Sequence, residues 1–123
     1  MHKYRSMIVW QRSHALVLTV LKSTDEAYHP RSRALFDQLK RAARSVECNI
    51  VEGYALGSPK QFRHFLRIAI GSAAESESLL RTAGEIGYLH ESIVTEATKL
   101  LDEILALLFS LVRKLSQTAP HRA

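Results

Sequence analysis

An all-α fold, an antiparallel up-down-up-down four-helix bundle, is what this sequence predicts, on three observations. Apolar residues recur at three- and four-residue spacing along nearly the whole chain, and no segment alternates with period two for more than a few residues. Turn signals interrupt the pattern at "DEAYHPRS", "LGSPKQ" and "GYLHE". The connections so marked are short, which makes successive helices antiparallel neighbours. A length of 123 residues suits one domain, 1–123, and five Gly and three Pro are too few for a loop-rich or disordered chain.

The first helix is expected over about 8–27, where Val9, Leu16 and Val20 repeat beside Val17 and Leu21. Pro30 suits the first turn of the second helix, about 30–56, because its missing N–H would have no partner there anyway. That helix carries the stripe Leu35, Leu39, Ala42, Val46, Asn49, Gly53, and Gly57 fits its left-handed end. Ser58-Pro59-Lys60-Gln61 reads as a capping box opening the third helix, about 59–87, on Phe62, Leu66, Ala69, Ala73, Ser76, Leu80 and Ala83. The fourth is expected over about 91–117, with a frayed tail at 118–123. It has two adjacent stripes, Leu100-Ile104-Leu107-Leu111-Leu115 and Leu101-Leu105-Leu108-Val112, widened by Phe109. A lone bundle needs a narrower face, so part of this one is expected to pack on another subunit; a helix sunk deeply into its own bundle is the alternative.

Cys48 is the single cysteine, which excludes a disulfide framework within the chain and favours an intracellular protein. The charged start "MHKYRSMIVW" is no secretory segment, and the longest apolar run, Ile104 to Val112, is far short of the roughly 20 residues a bilayer requires. A cytoplasmic protein with no membrane association is expected. Net charge is +5, unevenly spread: residues 1–70 hold twelve Lys/Arg against five Asp/Glu, and residues 71–123 hold five against seven. A basic half on a small protein fits a polyanion.

Enzymatic constellations are missing. A di-iron bundle needs two Glu-x-x-His pairs, and only Glu26-Ala-Tyr-His29 occurs, at a helix boundary beside Pro30. One Cys and no paired His at ligand spacing argue against zinc. No Arg stands five to seven positions before a His, as the helical-bundle ribonucleases of the HEPN kind require. Cys48 follows Glu47, whose carboxylate would disfavour a thiolate, and no glycine-rich loop carries the Lys-Ser/Thr of a phosphate cradle. Neither catalytic residues nor a cofactor or metal are expected.

Two basic stripes remain. Arg33, Lys40 and Arg44 share one side of the second helix, and Lys60, Arg63 and Arg67 share one side of the third. On antiparallel neighbours the two would merge into one patch. The second helix also spends its middle on polar residues, Arg41, Ser45, Asn49 and Glu52, spaced four, four and three. Ser72 and Glu75, beside Gly71, fall at a similar level on the third helix. This set is either a ligand pocket or a polar network that fixes the register of the two helices, and the second reading is preferred because buried polar groups demand partners.

Together, "VWQRSHAL", "DQLKRAARSVECNIVEGY", "SPKQFRHFLRIAIGSAAESE" and "GEIGYL" resemble the bacterial 23S rRNA intervening-sequence proteins over about residues 8–115. The pattern lies on Trp10, Gln38, Arg41, Ser45, Asn49, Ile50, Glu52, Gly53, Phe62, Phe65, Leu66, Ala69, Gly71, Ser72, Glu75, Gly87 and Tyr88. Lys40, where Arg is common, and Glu47-Cys48, in place of a small or Pro-containing pair, depart from it. The resemblance implies a homopentamer with a central channel, and does not imply a core ribosomal component. Related accessory proteins of diversity-generating retroelements look similar in fold and bind nucleic acid and a reverse transcriptase through a basic surface. The expectation is therefore a non-enzymatic homo-oligomer binding RNA or DNA through Arg33, Lys40, Arg44, Lys60, Arg63 and Arg67. The alternative is a structural scaffold whose basic face meets an acidic protein partner.

Overall fold

Each periodic segment closes into a helix in the computed structural model, which describes residues 3–118. The helices are α1 (Ile8–Glu26), α2 (Arg33–Leu56), α3 (Pro59–Glu85) and α4 (Glu91–Thr118), with 3-10 turns at Lys3–Ser6 and Pro30–Ser32. The tail expected to fray over 118–123 lies, beyond Thr118, outside the described residues. Among the described residues there is no strand, and no helix is long and apolar enough to cross a membrane.

The helix ends are made by the turn residues. Pro30 opens a 3-10 turn rather than the α-helix itself: the His29 N–H donates to Ser32 Oγ (3.3 Å) and the Arg31 N–H donates to His29 Nδ1 (3.2 Å). These bonds tighten the entry, so α geometry begins only at Arg33. Gly57, at φ 81°, ends α2, and Ser58 Oγ accepts the Gln61 N–H at 3.2 Å to start α3. The return bond from the Gln61 side chain is not made, so Ser58 caps alone. At the far end of α3, Gly87 takes φ 83° while the Tyr88 N–H donates to Ala83 O (2.8 Å) and the Gly87 N–H to Gly84 O (3.1 Å). That pair of bonds is a Schellman motif, which satisfies carbonyls the helix leaves open.

The core runs along the bundle axis. Leu16, Phe36, Leu39, Ile50, Leu66, Leu80, Leu101, Ile104 and Leu108 are all almost wholly buried. Each such side chain contributes roughly 1.5–3 kcal/mol relative to an exposed one. α2 packs most extensively on α3, α3 next on α4, and α1 rests on both α2 and α4. Ser45 meets Ser72, whereas Gly53, further along α2, meets Phe65, earlier on α3, so the two helices run antiparallel.

α4 places Leu101, Ile104, Leu108 and Val112 inside, and Leu100, Leu105, Leu107, Leu111 and Leu115 pack half-buried against the same core. Its broad face is thus largely taken up by its own bundle, with Phe109 left 49% exposed. The larger share of exposed apolar surface belongs to α1, where Ile8 is 53%, Leu18 55% and Leu21 38% exposed.

Candidate nucleic-acid interface

The expected basic stripes form, each on its own helix, but they do not merge. On α2, Lys40 and Arg44 line a cleft with Leu21 of α1, and Arg44 lines the next cleft with Val17 and Glu47. That stripe therefore lies on the flank of α2 nearest α1. On α3, Phe65 and Ser72 face α2, and Arg63 occupies the same side of the helix as Arg81, about five turns on, which lines the cleft toward α4. The α3 stripe accordingly sits on the flank away from α2. The Ser45–Ser72 contact sets the levels of the two helices. At 1.5 Å rise per residue, Arg44 and Arg63 are offset by about 15 Å along the axis as well. Antiparallel packing brings together the faces that bury small and apolar side chains, and the charged flanks are turned apart.

The two stripes also differ electrostatically. Asp37 lies between Arg33 (3.8 Å) and Lys40 (3.6 Å), two exposed pairs that partly neutralise the first stripe. Lys60, Arg63 and Arg67 make no ion pair among the described residues; Lys60 and Arg67 are exposed and Arg63 half-buried. Further along α3, Arg81 donates to Glu77 Oε2 at 2.7 Å, a bond that holds its guanidinium pKa above the usual value, with the Glu77 and Glu85 charges adding to the effect.

The polar centre of α2 assembles only in part. Ser45 Oγ and Ser72 Oγ share a hydrogen bond of 2.8 Å, and Asn49 Nδ2 donates to the Ser45 carbonyl (2.7 Å) and to Ser45 Oγ (3.1 Å). Arg41, Glu52 and Glu75, expected in the same network, are instead exposed and outside it. The cause is angular: at about 100° per residue Arg41 and Glu52 fall further round α2 from its buried stripe than Ser45 and Asn49 do, and Glu75 falls further round α3 than Ser72. What remains is a three-residue registry of Ser45, Asn49 and Ser72, and among the described residues no buried polar side-chain atom is left unsatisfied.

A second polar cluster had little signal in the sequence. Trp10 Nε1–H donates to Glu47 Oε2 at 3.0 Å, and His14 Nδ1 lies 3.1 Å from the same oxygen. The Trp10 and His14 rings stack at 4.9 Å, 13° from parallel, and Tyr4 meets Trp10 edge-on at 5.4 Å. Trp10 and His14 are one helical turn apart, and a half-buried indole N–H needs an acceptor; those were the available cues. Glu47 is that acceptor, and the cluster fastens α1 to α2.

Among the described residues no group of three His, Cys, Asp or Glu side chains is placed to hold a metal ion. Cys48 is an exposed free thiol in the α1–α2 groove.

A family model described as 23S rRNA-intervening sequence protein matches residues 5–110. No curated protein matches the chain.

Proposed function

Because the chain belongs to the 23S rRNA-intervening sequence protein family, we propose that it is a non-enzymatic, homo-oligomeric cytoplasmic accessory protein that binds RNA or DNA through its basic surface. The family's name points to RNA as the first polymer to test. The observation that carries the reading is the row Lys60, Arg63, Arg67 on the first half of α3, three cations with no acidic partner among the described residues. Arg33, Lys40 and Arg44 add to the field from the other flank, weakened by Asp37. A short row of cations along a helix recognises phosphates rather than bases, and few aromatic rings stand on it to stack a base, the exposed His64 between Arg63 and Arg67 being the nearest, so binding is electrostatic, salt-dependent and tolerant of sequence.

Fluorescence anisotropy of labelled structured RNA, titrated at several salt concentrations, tests this. Binding at low salt that weakens steeply as salt rises supports it. No binding at low salt, or binding unchanged by reversing Arg63 and Arg67, removes it.

A scaffold without nucleic acid is the second reading, and one observation favours it. The α2 stripe lines a groove that also holds Leu21 and Cys48, a mixed apolar and charged surface more suited to protein than to phosphate. Purification free of nucleic acid with a defined acidic partner would select it.

A further inference from the structure

We infer that the RNA held by the α3 row is an unpaired strand, one of whose bases stacks on Phe109 of α4. This inference rests on the nucleic-acid reading above. Phe109 is 49% exposed and makes no ring contact among the described residues. Thr98 lines the cleft between α3 and α4, and Phe109 lies about three turns beyond it on the same flank of α4. Arg113 follows about one turn later, exposed and without an ion pair among the described residues. The levels of the two helices are set at both ends. An added Gly84 Cβ would stand 3.0 Å from Val94 Cγ2, and Phe62 shares a pocket with Leu115, so α3 and α4 run antiparallel. On that register Phe109 falls within about 3 Å of the axial level of Arg67, and Arg113 falls between Arg63 and Arg67.

The flank between α3 and α4 changes sign along its length. At the end near the α3–α4 turn, Glu77, Glu85 and Glu91 surround Arg81, which is already held by Glu77. At the other end Lys60, Arg63, Arg67 and Arg113 make no ion pair among the described residues. A polyanion is therefore drawn to the second end and repelled from the first. That end sets one exposed ring beside four cations. A duplex keeps its bases stacked on one another and would meet the cations alone, leaving the ring uncovered. An unpaired strand uses both, with phosphates on the cations and a base on the ring. His64 is less suited to the task. It packs edge-on against Phe65 at 5.3 Å and is turned about 100° round α3 from Arg63, away from α4.

The test is fluorescence anisotropy of the full chain at low salt with two labelled probes: a single-stranded oligouridine, and an RNA backbone of the same length without bases. Both present the same phosphates. The wild type should bind the oligouridine about tenfold more tightly than the abasic strand. Phe109→Ala and Phe109→Leu should bind both probes at the abasic level, and Phe109→Tyr should keep the preference. Helicity by circular dichroism and mass by light scattering should match the wild type in all three variants, since Phe109 is exposed. Equal wild-type affinity for the two probes, or a preference that survives in Phe109→Ala or Phe109→Leu, overturns the inference alone and leaves electrostatic binding standing. So does a changed mass in Phe109→Ala, which would place a protein surface over the ring. Binding of neither probe by the wild type overturns the inference and the nucleic-acid reading together.

Discussion

Gly53 and Phe65 touch so closely that a Cβ on the glycine would stand 2.8 Å from the Cβ of Phe65. The same Cβ would lie 3.1 Å from Phe62 Cδ1, so neither ring side chain has room to retreat easily. This contact sets the spacing of α2 and α3 at that level, where a residue without a side chain lets the Phe65 backbone approach.

Gly53→Ala is expected to destabilise the fold, because overpacking of about 1–3 kcal/mol exceeds the gain of about 1 kcal/mol in helix propensity. Gly71→Ala is the control: nothing lies within 4 Å of its added Cβ, and a stabilisation of about 0.5–1 kcal/mol is expected. Urea denaturation of both variants distinguishes a packing constraint from a general intolerance of change.

The registry predicts a split between two residues three apart. Asn49→Ala removes two hydrogen bonds to Ser45 and should cost about 1 kcal/mol, whereas exposed Glu52→Ala should stay within about 0.5 kcal/mol. A double-mutant cycle over Ser45→Ala and Ser72→Ala should return a coupling of about 0.5–1.5 kcal/mol. Equal losses at Asn49 and Glu52 would contradict the arrangement.

Glu47→Ala leaves the Trp10 indole N–H without its acceptor and His14 without its carboxylate. A loss of about 1–3 kcal/mol is expected, with a changed tryptophan emission spectrum, since Trp10 is the sole Trp. An unaltered spectrum and melting temperature would show that the cluster does not fasten α1 to α2.

Arg63→Glu/Arg67→Glu should abolish most RNA affinity without altering helicity or subunit number. If three phosphates are neutralised by the α3 row, the log–log salt slope of the wild type is about −2 to −3. A slope near zero would mean that phosphate contacts do not drive binding.

The helices themselves were legible because their determinants are local. Three-and-four apolar spacing, the glycines at 57 and 87 and the Ser58-Pro59 start depend on residues a few positions apart, and the structure forms its elements at those places. The core positions Leu39, Val46, Leu66 and Leu80 follow from the same periodicity.

What the sequence could not decide is how the faces of different helices meet. Periodicity orders residues around one helix axis and says nothing of that helix's rotation against its neighbour, which is settled by the closest packing available, here Gly53 on Phe65 and Ser45 on Ser72. That rotation sent the two basic stripes to opposite flanks and turned Arg41, Glu52 and Glu75 outward. It also brought Glu47 to Trp10 and His14 across more than thirty residues of chain. The sequence by itself determined four helices, their ends and their buried sides; tertiary packing alone decided which charges stand together, because charge carries no local period that packing must obey.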